Sequence, residues 1–143
     1  MKTTNKILII VSLMIIQACG QELPVGAVSA SYDQPFTLAY GQTAVTADSL
    51  QIKLIDVPSD SRCASGAVCV WAGEVILELA VKQGPAIETA RLTLSPGQAE
   101  PTRDTLSWVI IELTEVFPYP DLKVNYGSID INDYQIDMTI RKL

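Results

Sequence analysis

The chain has 143 residues, 48% of them apolar, with 10 basic and 16 acidic side chains and a net charge of −6. That length suits a single domain, and the acidity excludes a nucleic-acid binder that works by neutralising phosphates. Histidine is absent, which excludes serine–histidine and cysteine–histidine hydrolysis and histidine-ligated zinc, copper or iron.

The chain opens with Lys2 and Lys6, then an apolar run from Ile7 to Ile16 broken only by Ser12. As a helix this run reaches roughly 15 Å, about half of a bilayer's hydrocarbon core, so it is too short to span. A basic start, a short apolar stretch and a small residue before a break form an export signal. The segment Ile16-Gln17-Ala18-Cys19 resembles the lipoprotein box of bacterial lipoprotein precursors. That resemblance implies a signal peptide over residues 1–18, cleavage before Cys19, and acyl chains (palmitate among them) on Cys19. The lipid bilayer is then one partner, held through the acylated cysteine. Each buried methylene contributes about 0.8 kcal/mol, so several chains anchor stably where one is marginal. The implied location is the bacterial cell envelope, facing the periplasm or the cell exterior. Gly20 rather than aspartate follows Cys19, which by the sorting rule of enteric lipoproteins implies the outer membrane. No later stretch approaches the roughly 18 apolar residues a span needs. Cleavage removes Lys2 and Lys6 and takes the net charge from −6 to −8, so the mature domain should not lie flat on an anionic lipid surface.

Residues 19–34, with Pro24, Gly26, Ser29, Ala30 and Ser31 and no periodicity, read as the lipidated N-terminus and a tether. The folded domain is expected over 35–143. Its dominant period is two. Alternation marks strands at Phe36–Tyr40, Thr43–Thr46, Leu50–Leu54, Glu74–Lys82, Ala90–Leu94, Val109–Thr114 and Tyr134–Arg141. The phase slips at Ile55 to Val57, the signature of a bulge or a doubly buried end. Turn signals sit between the runs at Pro58-Ser59-Asp60, Gln83-Gly84-Pro85, Ser95-Pro96-Gly97 and Tyr126-Gly127-Ser128. No window carries a helical stripe. The pattern is all-β: one immunoglobulin-like antiparallel β-sandwich of about seven strands, with a closed barrel as its rival. Tyr134, opening the last strand, is either a corner tyrosine bonded to upstream backbone or simply a core side chain.

The segment with most chemistry runs from Asp60 to Glu74, DSRCASGAVCVWAGE. With Cys19 assigned to lipid, Cys63 and Cys69 remain as a pair. In an exported protein such a pair becomes a disulfide, worth about 2 kcal/mol for so short a loop. A metal site would have no histidine to complete it, and the spacing is not the two-residue gap of thiol redox couples. Asp60-Ser61-Arg62-Cys63 and Cys69-Val70-Trp71-Ala72-Gly73-Glu74 resemble a motif of small extracytoplasmic bacterial lipoproteins whose function is unassigned. The Pro118-Tyr119-Pro120 turn and the Tyr134 strand fit the same pattern, and Ala64 departs from it where proline is expected. A disulfide-pinned loop on a sandwich rim is a recognition surface, and Arg and Trp are interface anchors. Arg62, Trp71 and Glu74 are therefore candidate binding residues. The packing alternative has Trp71 capping the core over the disulfide and Arg62 paired with Asp60 or Glu74.

Two other groups have a functional and a plainer reading. Asp121, Asp130, Asn132 and Asp133 offer oxygens suited to calcium, but as a partial match to a calcium loop they also fit a solvated turn. Phe117-Pro118-Tyr119-Pro120 could stack on a glycan or a proline-rich peptide, or form a rigid loop packed on the sandwich end. No nucleophile motif, glycine-rich phosphate loop or marked carboxylate pair stands out, so neither an enzyme nor a cofactor is expected. The expected function is a membrane-anchored, non-enzymatic binding or assembly module. Its contact surface is loop 60–74, its partner a protein or glycan and not a nucleic acid. The alternatives are an inhibitor presenting the same loop to a protease or hydrolase, and a calcium-dependent or carboxylate-based enzyme.

Overall fold

A computed structural model describes residues 26–143. The expected signal peptide over 1–18 and the expected lipidation site Cys19 lie outside the described residues. Nine strands follow: β1 (Ala27–Ser29), β2 (Phe36–Ala39), β3 (Thr43–Val45), β4 (Gln51–Asp60), β5 (Val75–Gln83), β6 (Ala86–Leu94), β7 (Thr102–Thr105), β8 (Val109–Phe117) and β9 (Gln135–Lys142). One sheet has the order β1-β3-β4-β5-β6 and the other β2-β9-β8-β7. Every pairing is antiparallel except β1 with β3. The all-β sandwich is as expected, with nine described strands instead of about seven. Its strands are joined as two meanders, β3–β6 in one sheet and β7–β9 in the other.

The alternation in sequence becomes the core. Leu77, Leu79 and Val81 of β5 face Ile111 and Leu113 of β8 and Ile136, Met138 and Ile140 of β9 across one continuous buried cluster. Each such side chain stabilises the fold by roughly 1.5–3 kcal/mol when fully withdrawn from water. The phase slip after Leu54 is a bulge, with register shifts between Leu54 and Asp56 and between Asp56 and Ser59.

Two strands had no sequence signal. The first, β1, has three residues, too few to show a period, yet it pairs with β3 and is followed by the buried Ala30. The sandwich therefore already includes Ala27, eight residues before the expected boundary at 35, and takes in part of the expected tether. The second, β7, is the polar edge segment TRDT, half wet on both faces. The start of β6 was also hidden, because Ala86 to Glu88 are largely exposed and carry no alternation.

The sandwich has two unlike ends. Asp60 pairs with Val75, Val75 with Leu94, and Phe117 with Gln135, so segments 61–74, 95–101 and 118–134 all leave from one end, here the loop end. The short turns at 46–50, 84–85 and 106–108 and the C-terminus form the other, the turn end.

Candidate functional site

The loop end is built on a buried ion pair. Arg62 lies two residues past the end of β4 and is 6% exposed. Its guanidinium donates through Nε to Asp60 Oδ1 at 2.9 Å and through Nη2 to Asp60 Oδ2 at 2.5 Å. Nη1 donates to the carbonyl of Val116 at 2.7 Å, and Nη2 also to that of Pro118 at 2.9 Å. These carbonyls flank the cis Phe117–Pro118 peptide. The guanidinium also sits 5.0 Å from the centroid of the Tyr119 ring, a cation–π contact. A planar fork with fixed donors matches a carboxylate on one side and two carbonyls on the other, which a lysine could not do. Arg62 thereby holds β4, the end of β8 and the following loop in one arrangement.

Tyr134 completes the cluster. Its hydroxyl donates to Asp60 Oδ2 at 2.9 Å. It is a core tyrosine, yet its partner is a carboxylate and not the upstream backbone of a corner tyrosine. Burial, and then the hydrogen bond and charge of Asp60, push the phenol well above its ordinary range.

This geometry corrects the expectation that Arg62 is a contact residue. Its donors face inward and its side chain is covered, so of the two readings the pairing with Asp60 is the one observed. Trp71 is corrected in the opposite sense. It does not cap the core; it is 79% exposed. Glu74 is exposed, and its backbone, not its carboxylate, is engaged: Ser61 N donates to its carbonyl at 2.8 Å.

Above the ion pair the chain projects as a braced finger. Cys63 and Cys69 form a disulfide with Cα atoms 5.9 Å apart. Cys63 N donates to Ala72 O at 2.8 Å. Gly73 has a φ of +73° and packs so tightly that a Cβ there would lie 1.8 Å from the Ser61 carbonyl oxygen, so only glycine lets the finger close at its base. The finger is zipped to the neighbouring loop, with Ser65 N donating to Pro120 O at 2.8 Å and Leu122 N to Ser65 O at 3.1 Å.

What the two loops present is apolar. Val68 and Val70 are fully exposed, and Val124 and Tyr126 nearly so. A shallow open cleft of about 570 Å³ runs past Ala64, Ala67, Val70 and Trp71. No charged residue occurs from 63 to 73, and from 117 to 129 Asp121 and Lys123 cancel. In a domain this acidic, a neutral apolar tip is the unusual feature, and larger exposed apolar patches mark contact sites. Sequence reasoning singled out Trp71 but passed over Val68, Val70, Val124 and Tyr126. The charge-free run at 63–73 was the signal that could have found the finger.

The acidic cluster does not assemble into a calcium cage. Asp121 Oδ1 accepts the backbone N–H groups of Lys123 at 2.7 Å and Val124 at 3.2 Å. Asp130 Oδ1 accepts from the Asn132 backbone at 2.9 Å and from Asn132 Nδ2 at 2.8 Å. These bonds, led in each case by the backbone donor, hold both carboxyls below their usual range. Among the described residues no group of three or more acidic, cysteine or histidine side chains is placed to hold a metal ion. Comparison of the chain with protein-family models, with curated proteins and with solved structures returns no match.

Proposed function

We propose that this protein is an exported bacterial lipoprotein, anchored through acyl chains on Cys19, that acts as a non-enzymatic contact module through the tip of loop 60–74. The observation that carries this reading is the disulfide-braced finger, which holds Val68, Val70 and Trp71 uncovered in water. Ordering apolar side chains on a rigid support before contact reduces what binding must later cost in entropy. The disulfide itself accords with an oxidising compartment outside the cytoplasm. The contact residues of the proposal are Trp71, Val68 and Val70, joined by Val124 and Tyr126 from the zipped loop; Arg62 is the strut beneath them. The inhibitor alternative loses its motive, since it needed an arginine presented at the loop's edge.

Two measurements test the proposal. The intact mass of native protein is expected to show loss of residues 1–18 and added acyl chains on Cys19; an unmodified Met1 would overturn the anchor. A photoreactive residue replacing Val70 in intact cells is expected to give an adduct, with lipid or with protein, that the same residue at the exposed Lys53 does not. Equal labelling at both positions, or none at Val70, would remove the finger as the contact surface.

A further inference from the structure

We infer that the loop end lies against the bilayer in which Cys19 is anchored, with Val70 and Trp71 of the finger and Tyr126 of the zipped loop seated among the lipid headgroups. This rests on the lipoprotein reading and names the partner of its contact surface.

Strand direction gives the first argument. The pairing of Ala27 with Thr43 and of Thr43 with Lys53 places the start of β1 beside Lys53. As β1 is parallel to β3 and both are opposed to β4, β1 runs away from the loop end. The described chain therefore starts, at Gly26, on the loop-end side of β1. Cys19 stands seven residues before Gly26, and seven residues span at most about 25 Å. From Lys53 to Asp60 the strand itself climbs roughly 20 Å, before the finger projects further. An acylated Cys19 can thus come about level with the loop end and hardly beyond it. A bilayer at that level, holding those acyl chains, meets the finger.

Surface chemistry gives the second argument, independently. Most of the large apolar side chains exposed among the described residues belong to the segments 68–71 and 117–126. They include one Trp and two Tyr, whose amphipathic rings favour the headgroup level of a membrane. The turn end instead carries Asp48 and Lys142 as an ion pair, and Arg141 near Asp33. Because Glu74, Asp121 and Asp130 edge the loop end, zwitterionic lipid is favoured over anionic lipid.

The two tryptophans provide the test. Trp71 is on the finger, and Trp108 is half-buried at the turn end, where its carbonyl accepts from Leu143 N. Native lipidated protein is reconstituted into phosphatidylcholine vesicles whose acyl chains are brominated just below the headgroup. In the Trp108→Phe variant, Trp71 emission is expected to fall roughly twofold or more relative to unbrominated vesicles; in the Trp71→Phe variant, Trp108 emission is expected to hold. Adding Val70→Asp to the Trp108→Phe variant should return Trp71 to its lipid-free emission while the anchor still floats the protein with vesicles. Protein that floats with Trp71 unquenched, or with both tryptophans quenched alike, overturns the docking and leaves the finger to a protein or glycan partner. Protein that does not float overturns the anchor, and the docking with it.

Discussion

The same three chemical groups meet at both ends of this sandwich. At the loop end Asp60 takes Arg62 and the hydroxyl of Tyr134. At the turn end Asp48 takes Lys142 at 3.0 Å and the hydroxyl of Tyr32 at 3.0 Å, with Thr46 Oγ1 added at 2.5 Å. Each cation even lies over a tyrosine ring, Arg62 over Tyr119 at 5.0 Å and Lys142 over Tyr32 at 5.6 Å. The difference is water. The Arg62 and Asp60 side chains are 3% and 9% exposed, those of Lys142 and Asp48 65% and 37%. A buried pair must stay complete, because a lone charge left in the interior is costly; an exposed pair exchanges its partner for solvent with little loss. One constellation is therefore a structural strut and the other a surface contact, with nearly the same bonds drawn.

The largest effect should come from Arg62→Ala. It strands the Asp60 carboxylate and the carbonyls of Val116 and Pro118, and is expected to destabilise the domain by about 3–5 kcal/mol in urea unfolding. A loss under about 1 kcal/mol would mean that water replaces the guanidinium, and the contrast between the ends would fail.

Tyr134→Phe sharpens the comparison. It removes one hydrogen bond to a charged acceptor and should cost about 1.5 kcal/mol near neutral pH. The native phenol is held above its ordinary value of 10.0, so the folded state keeps a proton that the unfolded chain releases. The stability this contributes is fully present below pH 10 and declines as pH rises above it. Urea melts across alkaline pH should show the parent falling more steeply than the phenylalanine variant; parallel curves would place Tyr134 in contact with water.

The smallest effect belongs to the turn end. Lys142→Ala should leave the urea unfolding midpoint almost unchanged, and added salt should shrink even that small shift. The Thr46 hydroxyl first, and Lys142 second, lower Asp48 from 3.8 to about 2. Its contribution is thus present above pH 3.8 and lost as pH falls towards 2. Asp48→Asn should flatten acid unfolding over that window; a variant as steep as the parent would assign the acid response to other carboxylates.

Sequence was informative wherever one side of the chain is dry. The alternations in β5 and β9 located those strands within a residue or two, and the phase slip after Leu54 marked a bulge. It was silent where both faces are wet or the strand is short, as in β1, β7 and the start of β6. At the site it singled out the segment and the cysteine pair but gave its two large side chains a shared role, both contacts or both packed, where the structure buries Arg62 and exposes Trp71. Arginine and tryptophan are both interface residues by type. Nothing local says that the carbonyls of Val116 and Pro118, more than fifty positions away, wait to cover one of them.

What the residue order determined alone was the all-β sandwich, since a period of two leaves a chain one dry face per strand and two sheets are the way to bury it. The absence of histidine chemistry was equally fixed by composition. Tertiary structure decided which charges are buried and which apolar side chains are not. Exposure depends on what the rest of the chain brings alongside, and a loop's own residues do not encode that.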